Sequence, residues 1–210
     1  NIMPKGSEEL TNARKTEIIE ACKQLYESMS FKDITIKKIG NVTSFTRTSI
    51  YNYFQTKDEI FLAILQDEYE KWNESLADIF ESVEKIERVQ FAEMLANMLS
   101  ERGLLLKIIS MNMYDIEENS RIERLVEFKK SFGRCLFLVE GCLKKITPEM
   151  TAEERTTFIY SFFPFVYGIY PYTTVTKKQR EAMELVGIDY KYYSVHDITF
   201  NAVKKLLETN

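Results

Sequence analysis

Histidine occurs once in this chain, at His196, and cysteine three times, at Cys22, Cys135 and Cys142. A lone histidine with only Asp197 beside it lacks the partners of a histidine-ligated metal site or a Ser-His-Asp triad. The cysteines are odd in number and form no C-x-x-C pair. They are expected as reduced thiols packed like small apolar residues, as in a cytosolic protein. G-x-G-x-x-G and G-x-x-x-x-G-K-[ST] are both missing, so no nucleotide-phosphate cradle is signalled and no cofactor is expected. No apolar run reaches bilayer-spanning length and no signal-peptide pattern is visible, which places the expected location in the cytoplasm. Glycine and proline are scarce, seven and four in 210 residues. Few interruptions favour long helices over many turns. A net charge of −4 argues against a general polyanion binder.

What is present is apolar and helical in pattern. Hydrophobic residues make up 45% and aromatics 13%, enough for a packed core. Charge is unevenly placed. Residues 32 to 57 hold five basic side chains (Lys32, Lys37, Lys38, Arg47, Lys57) against one acidic, Asp33. A first amphipathic helix is expected over about 8–28, with Ala13, Ile18, Ala21, Cys22, Leu25 and Met29 on one face. Thr35 starts a short helix striped by Ile36, Ile39 and Val42, and Thr46 caps another that runs to about Phe54. Thr56 with Glu59 reads as a capping box for a long helix through Ile60, Phe61, Ile64, Leu65, Tyr69 and Trp72. Further helices are expected at about 86–99, 101–114, 120–144, 151–171, 176–186 and 195–208. Thr173–Thr176 is the only strand-like run and reads as a connection. The fold class is therefore all-α.

Two short capped helices at about 35–43 and 46–54 describe a helix-turn-helix. Ile36, Ile39, Val42, Ile50 and Phe54 face inward in this reading. Lys37, Lys38, Arg47, Thr48, Ser49, Tyr51, Asn52 and Tyr53 remain outside. Arg pairs with guanine edges, amides and hydroxyls with other bases, and the Thr methyl with thymine. Hydroxyls and Lys also contact phosphate.

The run T-I-K-K-I-G-N-V-T-S-F-T-R-T-S-I-Y-N-Y-F-Q-T-K-D-E-I-F resembles the DNA-binding domain of the TetR family of bacterial transcriptional repressors. Thr35, Ile39, Tyr51, Tyr53, Phe54 and Lys57 match that family's pattern, and Phe45, Thr46, Ser49, Ile50 and Ile60 match conservatively. The resemblance covers about residues 12 to 62. It implies that Arg47, Thr48, Tyr51 and Asn52 approach bases or sugar, and that Thr35, Thr46, Tyr53 and Lys57 approach phosphates. Ser49 does either, and Lys37 joins the same DNA-facing set. Three positions depart from the family: Ser44 replaces its turn glycine, Thr43 the small residue before it, and Thr48 the glycine of the reading helix. A turn glycine usually serves a positive φ. Ser44 therefore implies either a different turn geometry or local support from its hydroxyl.

The resemblance also implies that residues 1–55 form the DNA-binding domain and 56–210 a helical ligand-binding and dimerisation domain. The sequence agrees in kind. Residues 158 to 172 carry eight aromatics in fifteen positions. Phe158, Phe162, Phe165 and Ile169 lie on one helical face, and Tyr160, Phe163, Tyr167 and Tyr170 on another. A helix apolar on most sides is buried on more than one of them. Pro164 is expected to bend it. The 151–171 helix and the last helix, with Ile198, Ala202, Val203, Leu206 and Leu207, are expected to form half of a four-helix bundle in a homodimer. Trp72, Met94, Met98, Met111, Met113, Phe137, Tyr160, Phe163 and Tyr167 are candidate pocket residues, because Met and aromatics line adaptable apolar sites. Plain core packing is the stronger reading for each of them when taken alone. The expected partners are double-stranded operator DNA, a small hydrophobic effector and a second copy of the chain. The alternative is a helical carrier or enzyme without DNA reading, and no catalytic base at a readable spacing supports the enzyme.

Overall fold

Why several of the helices begin where they do is visible in their first residues. Thr35, Thr46, Thr151, Thr176 and Ser194 all have extended backbone, and each side-chain oxygen accepts the amide three residues on. These caps satisfy amides that have no partner inside the helix. The computed structural model describes residues 5–82 and 86–208. Its α-helices are α1 (Lys5–Ser28), α2 (Ile36–Asn41), α3 (Arg47–Ile50), α4 (Lys57–Ser82), α5 (Arg88–Ser100), α6 (Gly103–Glu118), α7 (Ile122–Ile146), α8 (Ala152–Gly168), α9 (Tyr170–Thr173), α10 (Lys177–Leu185) and α11 (Val195–Leu206). A 3-10 turn covers Phe31–Asp33, and no strand occurs among the described residues.

The chain divides into two compact units. The first joins the residues up to Asp67 with Asn112–Lys130. The second joins Glu68–Met111 with the residues from Ser131 onward. Helices α4, α6 and α7 contribute residues to both, so neither unit is one continuous stretch of chain. The boundary expected at residue 55 falls inside the first unit.

In the first unit, Ile18, Cys22, Ile34, Ile39, Ile50, Ile60, Phe61, Ile64 and Leu65 are fully buried. Tyr26 and Phe31 meet the Phe61 ring at 5.0 and 4.7 Å between centroids. Burying a side chain of this size contributes about 1.5–3 kcal/mol. Ala13, expected on the apolar face of α1, is exposed. The apolar stripe instead begins at Ile18.

In the second unit an aromatic cluster fills the centre. The Trp72 ring lies 6.4 Å from Phe162 and 6.0 Å from Phe163, and Phe132 bridges Tyr69 and Phe163 at 5.7 and 5.8 Å. Two buried polar side chains here are tied to backbone: Asn73 Nδ2 donates to the Ser131 carbonyl at 2.9 Å, and Arg102 Nη2 to the Lys71 carbonyl at 3.1 Å. Gly141 allows close packing, because a Cβ there would lie 2.9 Å from the Phe80 ring.

Two expectations for these elements change. The helix expected over 151–171 is divided: α8 ends at Gly168 and α9 starts at Tyr170, where Pro171 supplies no amide donor. Thr173–Thr176 is a connection, as expected, and forms no strand; Thr173 ends α9 and Thr176 caps α10. The last helix directs its apolar side onto α5 and α8 of its own unit, burying Val203 and Leu207. Its exposed residues are Asp197, Asn201, Lys204 and Lys205, followed by Glu208.

Candidate functional site

The helix-turn-helix lies wholly in the first unit. Ile36, Ile39, Ile50 and Phe54 are its buried pins, each at most 8% exposed. Val42, expected with them, is 48% exposed. The reason is local: α2 ends at Asn41, and Val42 is its C-cap at φ −112° and ψ 7°, out of helical register. α3 proper ends at Ile50, short of Phe54. Tyr53 and Phe54 then donate to the Ile50 carbonyl at 2.9 and 3.0 Å, which carries a turn onward to Phe54.

The outward side chains form one surface. Thr35 and Thr46 are exposed, and their oxygens accept the Lys38 and Ser49 amides at 3.2 and 3.3 Å. Lys37, Arg47, Thr48, Tyr51 and Asn52 are exposed and Ser49 half-buried. Arg47 Nη2 donates to the Tyr51 hydroxyl at 3.2 Å, and its guanidinium lies 5.7 Å over the Tyr51 ring. This pair, four residues apart, holds a long side chain in a defined orientation before any ligand arrives. Tyr53 is half-buried and accepts a hydrogen bond from Arg14 Nη1 at 3.2 Å. Lys57 turns inward: its ammonium donates to the Phe31 carbonyl at 2.6 Å and sits 4.2 Å over the Phe31 ring. The candidate side chains are thus brought together in one unit, with Lys57 serving the packing of the 3-10 turn beside it.

The substituted turn resolves without strain. Among the described residues, none other than glycine has a positive φ, so Ser44 adopts a different geometry from a glycine turn. Its amide donates to the Glu17 carboxylate of α1 at 2.6 Å. That bond, first, and a second from the Ser44 side chain hold the Glu17 carboxyl below its ordinary value. Arg14, one turn earlier on α1, also lies 5.9 Å over the Phe45 ring. Sequence reasoning missed both α1 residues, because nothing in their spacing announces a partner near residue 44.

The capping box expected of Thr56 and Glu59 forms only in part. The Thr56 hydroxyl does accept the Glu59 amide at 3.1 Å. The carboxylate goes elsewhere. It takes the Gln55 amide at 2.8 Å and the Arg121 side chain at 2.6 and 2.9 Å. Burial pushes the Glu59 carboxyl up, but these bonds prevail and hold it below 4.5.

The candidate pocket residues separate. Phe137, Tyr160, Phe163 and Tyr167 line one cavity of about 790 Å³ between α7 and α8, together with Phe132, Leu136, Glu140, Ile159 and Pro164. The size suits a small molecule. The cavity is open: Phe137 and Tyr160 are 68% and 76% exposed. Met94 lines a separate cavity of about 510 Å³ with Ile86, Val89, Gln90, Glu93 and Phe200. Trp72 is fully buried in the aromatic cluster and lines neither. Met98 is half-buried on α5 and Met111 is exposed. Met113 is buried in the first unit. No described helix is long and apolar enough to cross a membrane.

The family profile described as "Tetracyclin repressor-like, C-terminal domain" matches residues 66–192, more than half of the chain. The chain belongs to the TetR family of transcriptional regulators. An HTH-type transcriptional repressor of Mycobacterium tuberculosis is 25% identical over 69 residues, 33% of this chain and 37% of that protein. An uncharacterised HTH-type regulator of Bacillus subtilis is 32% identical over 63 residues, 30% of this chain and 31% of that protein. The matched region thus spans about a third of each curated relative. Among solved structures, a TetR-like protein of Mesorhizobium loti is similar with a TM-score of 0.62 at 16% identity, covering 94% of this chain and 96% of that one. FadR of Bacillus subtilis in complex with stearoyl-CoA gives 0.60 at 12% identity, covering 91% and 97%. FadR of Thermus thermophilus in complex with lauroyl-CoA gives 0.58 at 16% identity, covering 92% and 93%. These likenesses carry the fold.

Proposed function

We propose that this TetR-family chain is a cytoplasmic repressor that holds a palindromic operator as a homodimer and releases it when a small hydrophobic molecule binds. One observation carries the DNA reading. Arg47, Thr48, Tyr51 and Asn52 stand exposed beside two exposed threonine caps, on a surface pinned from behind by Ile50 and Phe54. Arg47 and Asn52 supply the groups that discriminate base edges, and Thr35, Lys37, Thr46 and Ser49 supply phosphate contacts. Tyr53 and Lys57 support the surface through the bonds they make inside the unit. Two such surfaces must sit in successive major grooves about 34–36 Å apart, which requires the dimer.

The cavity between α7 and α8 is the proposed effector site. Its lining is aromatic and aliphatic, and its one charged side chain is the Glu140 carboxylate. It suits an acyl chain or another apolar body, and its lining has no cation for a phosphate. That two structural neighbours hold acyl-CoA supports an acyl-bearing effector. Binding favours a state in which the reading surfaces are wrongly spaced, and operator affinity falls by the difference in effector binding between the two states. A second reading of the same face has its own observation. The exposed side of α11 is polar while Phe137 and Tyr160 stand exposed, so this face is the one a second copy would cover.

The test of repression is binding to duplex from the chain's own promoter region at several salt concentrations. Arg47→Ala with Tyr51→Ala is expected to weaken specific binding by about 2–6 kcal/mol, roughly 1–3 for each base-reading side chain removed. Unchanged binding would overturn the reading in favour of a helical carrier or enzyme.

A further inference from the structure

The segment from Tyr53 to Glu59 joins the reading helix to α4, and residues 119–124 grip it at three places. Arg124 Nη2 donates to the Tyr53 carbonyl at 3.0 Å, and its guanidinium lies 5.7 Å over the Phe54 ring. The Thr56 hydroxyl donates to the Asn119 carbonyl at 3.2 Å. Arg121 binds Glu59 through Nε, Nη2 and its own amide, and Glu59 in turn takes the Gln55 amide. All of these groups belong to the first unit.

Each contact has a physical reason. A carbonyl at the end of a helical turn has no partner within it, and a cationic donor is a favourable one. The planar guanidinium of Arg121 matches both carboxylate oxygens, so the pair fixes orientation as well as distance. Arg124 is half-buried, and its guanidinium is spent on protein carbonyl and ring. The corner that carries these residues lies between α6 and α7.

We infer that the α6–α7 corner is a clamp that sets the angle of the reading surface, with Arg124 and Arg121 as positioning residues for operator discrimination. The inference rests on the repressor reading above. Base readout needs side chains held to a fraction of an ångström, whereas phosphate attraction is long-ranged and tolerant of position. Loosening the clamp therefore costs discrimination and leaves general DNA affinity in place.

The experiment uses a palindromic duplex selected from a random library by the wild-type chain, and a scrambled duplex of equal length. Fluorescence anisotropy is recorded across a salt series. Arg124→Met is expected to bind the selected duplex roughly tenfold more weakly. Its affinity for the scrambled duplex and the slope against salt stay unchanged. Arg124→Lys, which keeps a donor for the carbonyl, recovers most of the loss. If both duplexes weaken together and the slope falls by about 1, Arg124 contacts a phosphate directly and the clamp is overturned. Equal discrimination by wild type and Arg124→Met also overturns it. If Arg124→Met does not fold, Arg121→Lys is measured against the same criteria. A wild-type chain that enriches no duplex overturns the repressor reading, and the clamp with it.

Discussion

Replacing Glu59 by Gln probes the buried end of this corner. The Glu59 side chain is 0% exposed and that of Arg121 is 40% exposed. The carboxylate accepts the Gln55 amide, the Arg121 amide, and Arg121 Nε and Nη2. Glutamine keeps one acceptor oxygen and puts an NH₂ where the other was. Two of the bonds then face a donor with a donor. A bond to a charged group contributes roughly 1.5–3 kcal/mol, and the exposure of Arg121 reduces what its share is worth. The expected loss is about 2 kcal/mol, or roughly 4–8 °C in thermal midpoint for a chain of this size.

The pH dependence supplies a second readout. The Glu59 carboxyl is held below its ordinary 4.5 in the folded chain. Its stabilisation is therefore complete above that ordinary value and is lost as pH falls through the lower folded value. Asp58 beside it is raised by burial, with Lys57 opposing, and works in the other direction. Both proteins share Asp58, so their difference isolates Glu59. Circular-dichroism melts at neutral pH should show the gap, and melts below pH 4.5 should show it closing. A midpoint within about 1 °C of wild type at neutral pH refutes the reasoning, as does a gap that widens in acid.

Two further outcomes are expected. Tyr160→Glu, facing the α7–α8 cavity, should weaken uptake of lauric acid roughly tenfold, because it sets a negative charge against an apolar wall and repels the carboxylate. Sedimentation of that variant should still give a dimer; a monomer instead supports the second reading of this face. The three thiols should resist a disulfide reagent in the folded chain and react fully in denaturant. Burial pushes Cys22 to about 12 and Cys142 to about 11, with the cations of Lys57 and Lys145 only partly opposing, and raises Cys135 as well. Rapid labelling of the native protein would contradict that burial.

Much of the fold is legible in the sequence because its signals are local. Thr35, Thr46 and Thr56 each announce a helix start through an interaction spanning three residues. The apolar spacing of Ile36, Ile39, Ile50 and Phe54 marks an inward face without reference to the rest of the chain. The exposed surface is the complement of that face, so the exposure of Arg47, Thr48, Tyr51 and Asn52 can be named from the sequence. Val42 departs because a helix end shifts the register, and a pattern read at constant period cannot follow the shift. Lys57 reads as available for phosphate, yet the Phe31 carbonyl, far back in the chain, holds it.

Partners distant in sequence are decided by tertiary structure alone. Glu17 meets the Ser44 amide across 27 positions, Arg121 meets Glu59 across 62, and Arg124 meets the Tyr53 carbonyl across 71. Charged side chains on helix surfaces carry no spacing signal for such contacts. The nine pocket candidates separate for the same reason. Met and aromatic residues look alike in a sequence whether they fill a core, like Trp72 and Met113, or line an open cavity, like Phe137 and Tyr160. Periodicity gives the side of a helix that is apolar; which neighbour covers that side depends on how the chain returns upon itself.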